Sequence, residues 1–349
     1  MSGTAPAVSV VVCAYTQRRW GDLQDAVESV IAQSVPAEVV VVIDHEPELL
    51  RMATERWADE PVVSVIPNDG PQGLSGGRNT GMGAVSGSVV AFLDDDATAE
   101  PGWLARLVEP FVDDDVIAVG GTAVPVWPAG AKSSMYPPEL LWIVGCSHKG
   151  LPETMTEVRN VIGCSMAFRL APVLAAGGFD VDTGRVGSVP LGCEETELCI
   201  RLRQQDPAAR ILIDPQAVVM HRVSADRATW SYVRSRGYHE GISKAILGRK
   251  LGRGDALSSE TAYAKEVLPA ALLRELTQIG RGGATRIAAI ALMTVSTAIG
   301  FARAAKATPK PATHTVAAPD ATPAGPERSA GAAPRLPAED DARDGAVTR

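Results

Sequence analysis

The chain has 349 residues, 46% of them hydrophobic and 5% aromatic, with a formal net charge of −8. That is the composition of a globular protein with one large domain or two modest ones. An acidic balance without a basic block or an aromatic–basic platform argues against nucleic acid as a partner.

The opening MSGTAPA has no basic n-region, so no signal peptide is expected. VSVVVCAY (8–15) is a β-branched run suited to a strand buried on both faces. DLQDAVESVIAQS (22–34) sets Leu23, Ala26, Val27, Val30 and Ile31 on one helical stripe, with acids in its early turns. EVVVVID (38–44) predicts a second strand, PELLRMATERWA (47–58) a helix with Pro near its start, and VVSVIP (62–67) a third strand. GLSGGRNTGMGAVSG (73–87) predicts a helix of small residues, and SVVAFLDD (88–95) a fourth strand. This alternation specifies an α/β fold with an open, mostly parallel sheet, whose ligands sit at the carboxyl ends of the strands. Tyr15, Asp44 and Asp94–Asp96 then converge on one edge.

From 121 the texture changes. GGTAVPVWPAGAKSSMYPPELLWIVG predicts strands broken by a long loop, and VIGCSMAFRLAPVLAAGGFD (161–180) a strand, a short helix and a Gly-Gly stop. GCEETELCIRLRQQD (192–206) opens a helix with acids in its first turn. ARILIDPQAVVMHRV (209–223) predicts two short strands about an Asp-Pro turn, ending at His221. Five cysteines with no Cys-x-x-Cys pair suit reduced, mostly buried thiols in a cytosolic protein. Cys193 and Cys199 have no further ligand at metal spacing. Residues 226–280 are helical in pattern, with aromatic and basic residues interleaved. The apolar run 287–302, bracketed by Arg286 and Arg303, would span about 24 Å as a helix against a hydrocarbon core of roughly 30 Å. Spanning a membrane, lying on one and packing into a core all remain open for it. The tail 306–349 has no periodicity and is expected to be disordered.

Three adjacent carboxylates at the end of a greasy strand repel one another unless they are solvated or share a cation. Asp94 and Asp96 have the spacing to share one hard divalent ion, Mg²⁺ or Mn²⁺, whose remaining positions suit a nucleotide diphosphate. Asp44 is placed either to accept from a base or ribose or to cap the following helix. Arg78 either faces diphosphate oxygens or is a solvated helix arginine. The glycines at 70, 73, 76 and 77 resemble a phosphate cradle but match no established phosphate-loop pattern.

The landmarks VSVVVCAYTQRR, EVVVVID, NDGPQGLSGGRNTG, GSVVAFLDDDATAEPGWL, VIGCSMAFR…GGFD, CEETELCIRL and MHRV occur in that order. Together they resemble glycosyltransferase family 2 over residues 8–225. Within it, DHEPELL, GPQGLSGGRNTG, GCEETELCIRLRQ and RATWSYVRSRGYHEGISKA look most like the glucosyl-dolichyl phosphate glucuronosyltransferase branch. The resemblance implies the nucleotide-sugar transferase fold called GT-A over 1–225, with a nucleotide-binding half (1–120) and an acceptor half (121–225). A helical, membrane-associated region (226–305) and the tail would follow. It implies that Tyr15 and Asp44 line a uridine pocket and that Arg78 approaches the nucleotide. Asp94, Asp95 and Asp96 would form the metal and ribose site, with Asp96 a direct ligand and His221 a further metal or diphosphate contact. CEET matches the family's acidic pair, with Glu195 as the base where the family has Asp, and Glu194 as its competitor. Thr16-Gln17 departs from the family's Asn after the aromatic residue.

The expected activity is inverting transfer from a UDP-sugar to an acceptor hydroxyl. The acceptor would be a lipid-linked sugar or cell-envelope glycan precursor, met at the cytoplasmic face of a membrane. The rivals are a sugar nucleotidyltransferase, which would release pyrophosphate, and a non-catalytic membrane-associated partner on the same fold. Glycoside hydrolysis also uses paired carboxylates, but the strand order gives it no support.

Overall fold

Four parallel strands carry the N-terminal half of the computed structural model, which describes residues 6–131, 133–183 and 192–306. They are β1 (Val8–Ala14), β2 (Glu38–Ile43), β3 (Val63–Pro67) and β4 (Val89–Asp94). The strands β5 (Ala97–Ala99), β6 (Val116–Val126), β7 (Thr156–Glu157), β8 (Ser165–Arg169) and β9 (Arg210–Arg222) complete one sheet. Its order is β3-β2-β1-β4-β8-β6-β9-β5, with β7 also paired to β9. Strand β8 runs antiparallel to both of its neighbours, β4 and β6, while β6 and β9 run parallel. The result is a mixed α/β architecture, flanked by α1 (Trp20–Ile31), α2 (Pro47–Arg56), α3 (Leu74–Ala84), α4 (Trp103–Val108), α5 (Leu170–Ala175) and α6 (Glu194–Gln205).

Alternation along the strands builds two core layers. Val10 and Val12 face Leu23, Val27 and Leu49, whereas Val11 faces the layer that holds Met82, Phe92 and Phe168. Strands covered on both sides need apolar residues at every position, which is why the β-branched runs were legible. The small residues of α3 let it lie close against the sheet. A Cβ added to Gly81 would fall 2.5 Å from Val11 Cγ1.

The Asp-Pro pair at 214–215 does not turn the chain. Strand β9 runs unbroken through it and absorbs extra residues in a bulge: Gly120 pairs with Ile213, but Thr122, two residues on, pairs with Val218. Asp214 Oδ1 accepts from the Gln216 amide and holds that bulge. The Pro- and Trp-rich stretch after 121 is likewise one long strand, β6, followed by two 3₁₀ turns at Ser133–Met135 and Pro138–Val144.

The C-terminal helices are α7 (Trp230–Lys250), α8 (Arg253–Ala256), α9 (Ser258–Ala262), α10 (Leu268–Leu276) and α11 (Gly283–Lys306). A π turn, Tyr263–Val267, joins α9 to α10. Helix α11 is 24 residues long, so it extends beyond the apolar run 287–302 at both ends. It packs on α7 with almost no gap. A Cβ on Gly241 would meet Thr297 O at 2.1 Å, and one on Gly300 would meet Tyr238 O at 1.9 Å. The 133–151 segment fastens these helices to the sheet: Tyr136 donates to Arg227 O, Tyr263 to Glu139 O, and Glu139 pairs with Arg274. The other side of α11 is exposed and apolar, with Val295 and Ile299 among its uncovered residues. A helix buried all round is therefore excluded for 287–302. The tail expected to be disordered lies, beyond Lys306, outside the described residues.

Candidate active site

The carboxyl ends of β1, β2 and β4 open into a cavity of about 1230 Å³, roofed by the 142–163 segment, α6, α7 and α11. Tyr15, Asp44, Arg78, Asp94, Asp95, Asp96, Glu194, Glu195 and His221 all line it. The nine residues expected to bind the donor, hold a metal or act as base therefore meet in one place.

Strand geometry brings His221 to the acids. β5 follows Asp96 directly and pairs antiparallel with β9, so that Ala97 lies opposite His221. His221 Nε2 sits 3.2 Å from Asp96 Oδ1. Burial alone would lower the imidazole pKa, but the Asp96 charge and hydrogen bond overcome it and raise it to about 10. Asp96 is held well below the ordinary carboxylate range: burial opposes this, and His221, Arg19 and Arg227 prevail. Asp95 goes the other way, to about 7, because it is buried and next to Asp96. One of its oxygens, Oδ2, is buried without a partner.

Two arginines that no local pattern marked serve this cluster. Arg19 bridges Asp95 at 2.8 Å and Asp96 at 3.0 Å, and Arg227 lies 3.9 Å from Asp96. The protein's own cations thus relieve much of the repulsion among the three aspartates. Arg78 is not solvated. It is 2% exposed, packed between Phe92 and Phe179, and bound to Glu194, Asp94 and the Gly163 carbonyl. Asp44 does not cap α2. It accepts from Asn68 Nδ2 and the Gly73 amide and so shapes the 68–73 loop. The Gly70 amide is likewise engaged, by Asn68 Oδ1, and the Gly77 amide by the Gly73 carbonyl. Tyr15 is 42% exposed at the rim, with the Arg19 guanidinium over its ring.

At the start of α6 the two glutamates differ. Glu194 is ion-paired to Arg78 at 3.0 Å. Glu195 has no ion pair among the described residues, and burial and the neighbouring Glu194 raise its carboxyl to about 7. A hydrogen-bonded chain, Glu194–Arg78–Asp94, links this acidic pair to the aspartate cluster.

Ligand atoms of Asp94, Asp96 and His221 lie within 4.8 Å of one another, the one such group among the described residues. Two carboxylate oxygens and an imidazole nitrogen suit Mg²⁺ or Mn²⁺. The charge count agrees: Arg19, Arg78 and Arg227 pair with four carboxylates, Asp94, Asp95, Asp96 and Glu194, which leaves one carboxylate in excess when His221 is neutral, as a ligand must be. All five cysteines are free and none joins this group.

Residues 9–173 match the model of glycosyl transferase family 2. A glucosyl-dolichyl phosphate glucuronosyltransferase from Haloferax volcanii is 37% identical over 75% of this chain and 83% of its own length. The chain is a family 2 glycosyltransferase. Its fold agrees with solved structures. A mannosyltransferase from Pyrobaculum calidifontis, in complex with GDP-Man and Mn²⁺, matches 86% of this chain and 88% of that chain at 19% identity and a TM-score of 0.55. A structure of GalNAc-T7 with UDP, GalNAc and Mn²⁺ matches 75% and 58% at 17% identity and a TM-score of 0.52. In the family 2 enzyme described here, the matched segment supplies the aspartates, Arg78, Asp44 and the 142–163 part of the roof, while Glu195, His221 and the roof helices α6, α7 and α11 lie beyond it.

Proposed function

We propose that this glycosyltransferase moves a sugar from a UDP-sugar to a hydroxyl of a lipid-linked, phosphate-bearing sugar, with inversion at the anomeric carbon. The observation that carries this is Glu195, a carboxylate without an ion pair, facing the same cavity as the Asp94–Asp96–His221 group. The Haloferax relative's name supports a lipid-linked acceptor. On this reading residues 1–225 form the catalytic domain, donor half first (1–120) and acceptor half second (121–225). Residues 226–305 close the cavity and meet the cytoplasmic face of a membrane.

Tyr15 and Asp44 bound the uridine end of the cavity. Glu195 takes the proton from the acceptor hydroxyl, whose oxygen attacks the anomeric carbon on the side away from the nucleotide. The new C–O bond forms as the bond to the diphosphate oxygen breaks, and that electron pair leaves with UDP. Asp94, Asp96 and His221 would hold a divalent ion, which would supply positive charge to the departing diphosphate. Arg78, which contacts both Asp94 and Glu194, keeps donor and acceptor acids at a set separation.

A panel of UDP- and GDP-sugars, with Mn²⁺ or Mg²⁺ and polyprenyl-phosphate sugar acceptors, tests this by nucleotide release and product mass. UDP release with an inverted linkage is expected, abolished by EDTA and restored by metal. Asp96→Ala should lower turnover about 10²-fold or more. Release of pyrophosphate, retention of configuration, or an Asp96→Ala enzyme within about tenfold of the parent overturns the reading.

A further inference from the structure

Beyond Glu195 the cavity carries a second charged cluster that the chemistry above does not use. Helix α7 presents Arg236, Glu240 and Lys244 along one stripe, at steps of four residues. Arg159 and Glu260 enter from the opposite wall, and all five side chains line the cavity. Arg236 pairs with Glu240 at 2.7 Å and Lys244 with Glu240 at 3.4 Å. Glu260 takes two bonds from Arg159, at 2.6 and 2.9 Å, and one from Lys244 at 2.5 Å. Three cations are thus held by two carboxylates on the wall of an open cavity. Burying cations is costly, and a purely structural network would neutralise itself.

The carboxylate that occupies Arg159 and Lys244 stands on a lightly buried segment, tied to the rest of the protein through Tyr263. Neither α9 nor the π turn after it buries a single side chain, and Glu260 is 31% exposed. Two cations converging on a carboxylate make the geometry in which a phosphate also binds. Past them the wall becomes apolar, with Leu257, Val267, Leu268, Met293 and Phe301, and Ala298 leads out to the exposed apolar side of α11.

We propose that Arg159, Arg236 and Lys244 bind the phosphate of an isoprenoid-phosphate acceptor, with Glu260 as its internal stand-in until the acceptor arrives. The isoprenoid chain leaves between α11 and residues 257–268, and the sugar reaches back to Glu195. This rests on the acceptor class given under Proposed function, but it is tested without transfer. Trp142 stacks on Arg236, with 5.6 Å from the guanidinium to the ring centroid, so its fluorescence reports on the subsite.

Farnesyl phosphate, farnesol and inorganic phosphate are titrated in turn into the full chain, and Kd is read for each. Farnesyl phosphate should bind at least about tenfold more tightly than either of the others, one charge-assisted contact being worth that much. Arg236→Gln and Lys244→Gln should erase the preference over farnesol while farnesol binding persists, which also shows that the variants fold. Glu260→Gln should tighten farnesyl phosphate several-fold, a direction that loss of a merely structural ion pair would not give. Equal affinity for farnesol and farnesyl phosphate, a preference that survives both α7 substitutions, or weaker binding in Glu260→Gln overturns the subsite. Inorganic phosphate binding as tightly as farnesyl phosphate overturns its lipid half. If discrimination holds while no UDP-sugar is consumed, the subsite stands and the donor reading falls.

Discussion

At Glu194 and Glu195 the chain sets two identical side chains side by side, and their surroundings separate them. The ion pair to Arg78 ties Glu194 into the chain of side chains that reaches Asp94, whereas burial and its neighbour's charge raise Glu195 to about 7. A base must be ionised to act, so kcat/KM should rise as pH increases through about 7 and level off above it, with the apparent pKa belonging to the pair. Glu195→Gln should remove that limb and cut kcat by about 10²–10⁴-fold while the donor KM stays near that of the parent. Steady-state rates between pH 5.5 and 9 check both. The acids and His221 were readable in sequence because they stand at predicted strand and helix ends. Arg19 was not: its partner Asp95 is 76 residues away, and an ion pair of that separation leaves no local pattern.

At the scale of elements, what was readable follows burial. Strands covered on both faces announce themselves as continuous β-branched runs, and β1, β2 and β4 start and stop within a residue or two of the expected bounds. The C-terminal helices were legible as helices but not as the cavity roof, because their fastenings lie on 133–151, more than eighty residues upstream. Their packing is set by glycine. Gly300→Ala should force α11 off α7 and destabilise the protein by about 1–3 kcal/mol, the usual result of overpacking. Gly280→Ala, where a methyl group meets nothing within 4 Å, should leave the thermal transition in place. Parallel melting curves decide it.

Taken whole, the molecule presents its catalytic cavity beside an apolar flank. Helix α11 is long and apolar enough to cross a membrane, yet one side is fixed along α7 and only the other is free. That arrangement favours lying in an interface over crossing it. Cosedimentation with vesicles containing anionic lipid should bring the parent protein down, and Val295→Glu with Ile299→Glu should leave it in the supernatant with an unchanged melting temperature. Equal sedimentation of the two would remove the membrane from the account. The sequence alone left spanning, lying and burial open for 287–302, because hydropathy records composition and not which side of a helix another helix covers.

The bulge in β9 also decides which way His221 points. Between the pairings at 213 and 218 the strand spends three more residues than β6 does, an odd number. Side chains alternate along a strand, so an odd insertion exchanges inward and outward positions for everything downstream. Trimming a single residue from 214–217 would restore even parity and rotate His221 away from Asp96, leaving every side chain of the candidate site in the chain and one of them on the wrong side of the sheet.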